Sequence, residues 1–257
     1  MTDFPGTLRT WRKARRFSQL DLAGEADVST RHISFLESGR ARPSRDMIGR
    51  LSDALTLPLD ARNQMLTHAG FAARYPARAW DDADMAPIRA AVGHMLQAHS
   101  PYPAVAVDKL WTVIDMNGPA KLLFGTLGLD LGGSLLDLMM SDTLPSLVEN
   151  WPDVAHHACQ RLRTESAAQG GVPALDRVAD YLGAVPGRKH TPTSPVIPTI
   201  LNTGHMRLSI FATIAQFGTP EDVALDDLKV ELYFPADAES DAALRTMAIG
   251  LDNVPPA

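Results

Sequence analysis

Cysteine is almost absent from this sequence, since Cys159 is the only one among 257 residues. A single cysteine excludes a disulfide within the chain and a zinc site built from several cysteines. No stretch approaches the ~20 consecutive apolar residues of a membrane-spanning helix. Residues 1–5 also lack the basic-then-apolar order of a signal peptide. We therefore expect a cytoplasmic protein that does not bind a membrane.

The signature motifs of common enzymes are missing as well. The sequence has no phosphate-binding glycine loop, no Gly-x-Ser-x-Gly, no His-Glu-x-x-His and no dinucleotide fingerprint. His156 and His157 point to different faces of a helix, and His156 with Cys159 one turn on supplies only two metal ligands. We expect a protein without catalytic activity, bound metal or cofactor. The alternative is an enzyme that its N-terminal part regulates, but no motif in the sequence supports it.

Charge is distributed unevenly along the chain. The net charge is −6, but residues 1–80 contain 13 Lys and Arg against 8 Asp and Glu. The remaining residues contain 11 basic side chains against 22 acidic ones. A basic module suits a polyanion such as nucleic acid, whereas an acidic one is repelled by it. The two parts of the chain are therefore expected to have different roles.

Helical spacing and N-cap residues predict five short helices in residues 1–72. Apolar residues recur three or four positions apart, for example Leu8 with Trp11 and Ile33 with Leu36. The predicted helices begin at or just after Gly6, Ser18, Ser29, Ser44 and Asp60. This pattern is typical of a compact all-α domain, and the aperiodic residues 73–86 are predicted to be a linker.

Residues 87–257 combine two kinds of periodicity. Apolar alternation predicts strands at 104–108, 111–115, 206–214 and 230–234, and helical spacing predicts helices at 87–99, 153–164, 175–182 and 241–249. The proline-rich residues 187–199 are predicted to be a loop. The chain is thus expected to be multidomain, with a C-terminal α+β domain built on an antiparallel sheet.

The N-terminal residues resemble the Cro/C1-type helix-turn-helix of the XRE family over about residues 6–70. The resemblance rests on Ser18-Gln19-Leu20-Asp21-Leu22-Ala23, Val28-Ser29, Ile33-Ser34, Leu36-Glu37-Ser38-Gly39-Arg40 and Pro43-Ser44. One departure is Asp27, where the family usually has glycine in the turn. Aspartate tolerates a left-handed backbone better than most residues, so we expect the turn to survive.

The rest of the chain resembles the MmyB-like ligand-binding domain over most of residues 87–250. The matching pieces are Pro101-Tyr102-Pro103-Ala104, Asn117, Asn150-Trp151, Ala155, Leu162-Arg163 and Leu232-Tyr233-Phe234-Pro235. The resemblance implies a PAS-like domain with an apolar pocket, for which long fatty-acyl chains are a known kind of ligand. The sequence departs from the family at 182–200, where it is rich in proline.

The helix-turn-helix resemblance implies that the third helix enters the major groove of double-stranded DNA. Arg31 is suited to paired hydrogen bonds with guanine. The expected DNA-binding residues are Arg16, Ser18, Gln19, Ser29, Thr30, Arg31, His32, Ser34, Arg40, Arg42 and Ser44. A carboxylate would repel phosphate, so Glu37 is expected to pair with Arg16 or Arg40 inside the domain instead.

Candidate ligand-binding residues combine apolar side chains with a few polar ones that could hold a head group. They are Val107, Trp111, Asn117, Phe124, Arg163, His205, Arg207 and Ile210. Each apolar residue among them is also a candidate for ordinary core packing.

The sequence as a whole predicts a transcription regulator, expected to be a repressor. One helix-turn-helix contacts few bases, so we expect a homodimer, held by the C-terminal domain, on near-palindromic operator DNA. We expect its effector to be small and apolar, such as a fatty acid. The alternative is a C-terminal domain that serves only for dimerisation or protein contact, with a filled core and no small ligand.

Overall fold

A computed structural model describes residues 3–187, 195–204 and 206–252. The described residues form two compact units. The first comprises residues up to Arg78 together with Ser166–Val172 and Thr219–Asp226; the second comprises Ala79–Glu165, Pro173–Gly218 and the residues from Asp227 onward.

Five α-helices form the N-terminal region, as the spacing predicts. They are α1 Phe4–Ala14, α2 Gln19–Glu25, α3 Thr30–Glu37, α4 Arg45–Ala54 and α5 Leu59–His68. All five contribute to one apolar core, in which Leu8, Leu22, Leu36, Leu51 and Met65 are fully buried. Each such side chain contributes about 1.5–3 kcal/mol through its removal from water.

Serine side chains begin three of these helices. The hydroxyls of Ser18, Ser29 and Ser44 each accept a hydrogen bond from the backbone N–H three residues later. The Asp21 carboxylate in turn accepts a hydrogen bond from the Ser18 N–H, and the two bonds together form a capping box. A cap of this kind stabilises a helix by about 1 kcal/mol, which explains why these starts could be predicted locally.

The start of α5 differs from the prediction. Pro58 occupies the N-cap without a side-chain hydrogen bond, and Asp60 lies in the first turn instead of capping the helix. The Leu59 N–H donates to the Asp226 carboxylate at 2.9 Å. A backbone N–H at the start of the helix therefore finds its acceptor in a distant part of the chain. Asp60 stabilises the helix through its negative charge near the positive end of the helix dipole.

The turn between α2 and α3 accommodates its unusual residue. Asp27 has φ +51°, in the left-handed region that glycine adopts most easily. The expected turn is thus present, and α3 follows directly with Ser29 as its N-cap.

The second unit contains a five-stranded antiparallel sheet in the order β2-β1-β5-β4-β3. Its strands are β1 Ala104–Val107, β2 Val113–Met116, β3 Thr199–Asn202, β4 Arg207–Ala215 and β5 Lys229–Pro235. Strand β3 was not predicted, because its four residues lack alternation. Asn150 fixes it from outside the sheet by accepting from the Ile200 N–H and donating to the Pro198 carbonyl.

Helices accompany the sheet and confirm the predicted α+β class. They are α6 Ala86–Ala98, α7 Gly118–Gly125, α8 Leu135–Met140, α9 Thr143–Leu147, α10 Trp151–Ala168, α11 Pro173–Gly183, α12 Val223–Asp226 and α13 Ala238–Asp252, with α12 in the first unit. Leu162, Val178 and Leu182 are fully buried. The two predicted stripes at 153–164 and 175–182 are therefore core-facing.

Candidate DNA interface and ligand pocket

Helix α3 has one face buried in the core and one face exposed to solvent. Ile33 and Leu36 lie in the core, whereas Thr30 and Arg31 are exposed and His32 is half-buried. The Arg31 guanidinium lies 5.1 Å from the centre of the Phe35 ring, a cation–π arrangement that supports the side chain without occupying its N–H groups. No residue in the described part of the chain forms an ion pair with Arg31, so its hydrogen-bond donors remain available.

The other predicted DNA-binding residues lie on α3, at the starts of α2, α3 and α4, or in the segments that follow α1 and α3. Arg16, Arg40 and Arg42 are exposed, and Ser34 is half-buried on α3. The three cap hydroxyls, on Ser18, Ser29 and Ser44, are exposed. Each uses its oxygen as an acceptor in the cap, so its own proton is still free to be donated to a phosphate. A surface of this composition suits the DNA backbone.

Glu37 lies in the domain interior with partners other than those predicted. Its carboxylate accepts from Arg12 Nε at 2.6 Å, Arg12 Nη2 at 3.0 Å and Gln19 Nε2 at 2.8 Å. The prediction of an internal ion pair is confirmed, but Arg12 is the partner, since it projects from α1 towards the buried end of α3. Arg9 Nε also lies 3.8 Å from Glu37 Oε2. Gln19 is thus engaged inside the domain in this structure.

The pKa of Glu37 reflects this network. Burial opposes ionisation of the carboxyl group, but the hydrogen bonds from Arg12 and Gln19 outweigh burial and hold its pKa below the ordinary value. The carboxylate therefore stays charged at neutral pH and fixes α1, α2 and α3 to one another.

Two adjoining cavities lie in the second unit, between the sheet and α10. The first has a volume of about 250 Å³ and the second about 130 Å³. They share the side chains of Met139, Val154, Ala158, Thr199, Ile210 and Tyr233. The smaller cavity is otherwise lined mainly by apolar residues such as Leu123, Phe124, Leu135 and Trp151.

One wall of the larger cavity carries polar and charged side chains. Arg161 on α10 forms an ion pair with Glu231 on β5, and Tyr233 Oη donates to the same carboxylate at 2.7 Å. The Arg161 guanidinium also lies 4.2 Å from the centre of the Trp111 ring. The two cavities together therefore offer an apolar end and a polar end.

A larger depression of about 330 Å³ lies in the first unit. Its walls include Arg45, Arg50, Asp53 and Arg62. Charged walls of this kind do not suit an apolar occupant, so the cavities of the second unit are the candidate site.

Comparison with protein families identifies both parts of the chain. A helix-turn-helix model matches residues 8–61, and a model described as the MmyB-like transcription regulator ligand binding domain matches residues 88–247. The chain belongs to the MmyB-like transcription regulators. A search among curated proteins found no match.

The structure of this MmyB-like regulator separates the predicted ligand residues into three groups. Trp111, Phe124 and Ile210 line the cavities, and Val107 is fully buried in strand β1. Three polar candidates have partners elsewhere: Asn117 binds backbone groups, Arg163 pairs with Asp180 and Arg207 pairs with Glu149. His205 lies outside the described residues.

Arg161, Glu231 and Tyr233 line the cavity but were not predicted. Val154, Ala158 and Arg161 follow one another at four- and three-residue spacing, so Arg161 falls on the cavity-facing stripe of α10 while Arg163 does not. Glu231 and Tyr233 share one face of β5 through strand alternation. The helical spacing in α10 and the alternation in β5 are the sequence signals that could have identified these three residues.

Lys229 is a deeply buried basic group of the MmyB-like domain. It is 3% exposed, forms an ion pair with Glu165 and has its Nζ 4.8 Å from the centre of the Trp111 ring. Burial, followed by the nearby Arg161 charge, lowers its pKa from 10.5 to about 8, against the opposing effects of Glu231 and Asp108. The folded chain therefore releases this proton well before the unfolded chain does.

We expect the free energy of unfolding to rise by about 2–3 kcal/mol between pH 8 and pH 10. In this interval the unfolded chain binds the Lys229 proton and the folded chain does not, so higher pH favours the folded state. Urea unfolding at several pH values measures the rise. Lys229→Met should flatten it, whereas Lys121→Met, at an exposed site, should preserve it; an equal rise in both variants contradicts the assignment.

In residues 3–187, 195–204 and 206–252, no group of three His, Cys, Asp or Glu side chains could hold a metal ion. Within the same residues, no helix is both long and apolar enough to cross a membrane.

Proposed function

We propose that this MmyB-like regulator is a sequence-specific repressor that binds double-stranded operator DNA and responds to a small apolar effector, with fatty-acyl compounds as the class implied by its family. The adjoining cavities in the domain of the ligand-binding family carry this proposal. The smaller cavity is lined mostly by apolar side chains, which suits an apolar chain.

 The polar wall at Arg161 then fixes the orientation of the occupant.

The DNA-binding part of the proposal rests on α3. Thr30 and Arg31 on this helix are exposed, and so are Arg40 and Arg42 in the segment that follows it, so side chains suited to bases and to phosphates are both accessible. One such domain reads too few base pairs to specify a genomic site, so we propose a homodimer, held by the C-terminal domain, on a near-palindromic operator. The protein would act in the cytoplasm, where its operator lies.

The α+β domain is PAS-like in this proposal, with its cavities as the effector site. An effector regulates DNA binding only when it binds the DNA-competent and DNA-incompetent dimers with different affinity. We therefore expect the effector to change the affinity for operator DNA by some factor, and operator DNA to change the affinity for the effector by the same factor.

Mass spectrometry of the purified protein under native and then denaturing conditions tests the effector part of the proposal. A small apolar compound released on unfolding supports it, and the compound is then titrated against operator binding. A domain that releases no compound and binds no fatty-acyl compound in titration would instead be a dimerisation or protein-contact module.

Replacing Arg31 with alanine tests the DNA-binding part. We expect operator affinity to fall by about 1–3 kcal/mol, roughly five- to 150-fold, because a guanidinium that reads guanine is lost. Affinity is measured at fixed salt on an operator selected from random DNA. Arg74→Ala removes the same charge at an exposed site after α5 and should change affinity far less; equal losses in the two variants would rule out base reading by Arg31.

A further inference from the structure

Helix α10 belongs to both compact units. Its residues 151–165 lie in the second unit, whereas its last residues and the turn that follows lie in the first. We call this segment of the first unit, Ser166–Val172, the α10 turn. One unbroken helix therefore joins the part of the chain that lines the cavities to the unit that contains the helix-turn-helix.

The second-unit part of α10 forms a wall of the cavities. Val154 and Ala158 line both cavities, and Arg161 lines the larger one. Ala158 and Ala168 lie on the same helix, separated by about 15 Å along its axis at about 1.5 Å per residue. An occupant that displaces this face of α10 also displaces the end of the helix, because a helix is a rigid element over such a length.

One arginine of α1 binds the end of α10. Arg15 Nη1 donates to the Ala167 carbonyl at 3.1 Å, and Nη2 donates to the Ala168 carbonyl at 2.7 Å. The same guanidinium donates to the carbonyls of Leu55 and Thr56, which follow α4, at 2.9 Å and 3.1 Å. The last carbonyls of a helix lack donors within the helix and carry partial negative charge. Arg15 therefore stabilises the ends of α4 and α10 together.

The α10 turn also packs against the indole ring of Trp11. Gly170 lies so close to this ring that a Cβ atom at its position would overlap it. The ring is 7% exposed, and its centre lies 5.1 Å from the Arg15 guanidinium carbon. The buried Ser166 hydroxyl fixes the turn by accepting from the Val172 N–H at 2.7 Å. The contact between α1 and the α10 turn therefore depends on close fit as well as on hydrogen bonds.

We propose that the α10 turn transmits occupancy of the cavities to operator binding, with Arg15 and Trp11 coupling the position of α1 to that of α10. This inference rests on the proposed effector function and names the segment that carries the regulation. Helix α1 is in turn fixed to α3 through Arg12 and Glu37. A shift of α10 at the cavities thus reaches the helix that contacts DNA, and an effector that favours one position of α10 changes operator affinity.

Operator affinity of the full chain, measured at fixed salt with and without dodecanoate, tests the proposal. The ratio of the two affinities is the coupling factor. We expect a coupling factor of at least about five for the unaltered chain and of less than about two for Arg15→Gln and for Gly170→Ala. Calorimetry should show that both variants still bind dodecanoate, because neither residue is in the cavity walls.

Each variant has a matched control in the first unit. Gly171→Ala adds a methyl group at a similarly left-handed backbone, with φ +103° against +82° at Gly170, but the added Cβ meets no atom within 4 Å. Arg74→Gln removes the same charge as Arg15→Gln at an exposed site. Both controls should keep the coupling factor of the unaltered chain. Circular dichroism establishes which variants fold, and either test variant decides alone if the other does not.

A second measurement requires no effector. Ala158→Leu fills part of the cavities from α10 itself, since Ala158 lines both. We expect it to change operator affinity at least about fivefold in the unaltered chain and less than about twofold in the Arg15→Gln chain, which makes a double-mutant cycle. A change of equal size in both chains, or of no size in the unaltered chain, contradicts the coupling.

The outcomes separate this inference from the proposed effector function. If dodecanoate binds and the coupling factor is the same with and without the Arg15 and Gly170 substitutions, the α10 turn does not carry the regulation and the effector site stands. If no fatty-acyl compound binds the unaltered chain, the effector site is wrong, and the Ala158→Leu cycle alone decides the role of the turn. Equal loss of coupling in the two control variants would overturn the role of the Arg15 and Trp11 contacts.

Discussion

Replacing Glu37 with alanine is expected to lower the free energy of unfolding of the helix-turn-helix domain by about 3–5 kcal/mol. Three donor groups, two on Arg12 and one on Gln19, lose their acceptor at once. Arg12 is 12% exposed, so its charge would remain inside the domain without a counterion. Urea unfolding of the full chain, followed by fluorescence and circular dichroism, measures the loss.

Two comparisons show whether the loss comes from the ion pair. Glu25→Ala removes an exposed carboxylate and should change stability by less than about 0.5 kcal/mol. The double variant Arg12→Met with Glu37→Leu removes both charges and should recover much of the loss, since an apolar pair of similar volume leaves no charge unpaired. A double variant as unstable as the sum of two single ones would argue against a direct pair.

Asn117→Ala is expected to lower the free energy of unfolding by about 3–5 kcal/mol, because three buried backbone groups and one partly buried one lose their partner, and each loss costs roughly 1 kcal/mol or more. Asn117 Oδ1 accepts from the N–H groups of Ala104 and Ala120, and Nδ2 donates to the carbonyls of Leu96 and Tyr102. The side chain is fully buried. One amide thus joins α6, β1 and the start of α7.

Aspartate should not rescue this position, although it has nearly the same shape. Its second oxygen would face the carbonyls of Leu96 and Tyr102, where a donor is needed. Asn202→Ala, at an exposed asparagine, serves as the control in the same unfolding experiment. If Asn117→Ala weakened effector binding without loss of stability, the residue would be a ligand contact, as its place in the sequence first suggested.

The helix-turn-helix was predictable because its signals are local. Ser18, Ser29 and Ser44 each cap a helix through a backbone group three residues away, and the apolar positions repeat within single helices. The start of α5 was placed less well, because its N–H partner, Asp226, lies far along the chain.

The cavity wall was harder to predict for the same reason. Arg161 and Glu231 are 70 residues apart in sequence, and nothing in either segment alone indicates that they meet. Asn117 and Arg207 are polar residues at plausible positions, yet the structure commits both to other partners. Periodicity identifies which face of an element is buried, but it does not distinguish a wall of a cavity from a packed core.

The network at Glu37 also bears on how operator binding should respond to ionic strength. Each phosphate neutralised by a protein cation releases counterions and contributes about 0.9 to the slope of log affinity against log salt concentration. The Arg12 charge is neutralised by Glu37, and its side chain is only 12% exposed. Arg12 is therefore not among the cations that can displace counterions from DNA. Each helix-turn-helix domain should then show a slope shallower by about 1 than its count of basic residues suggests, and raised salt should weaken DNA binding correspondingly less.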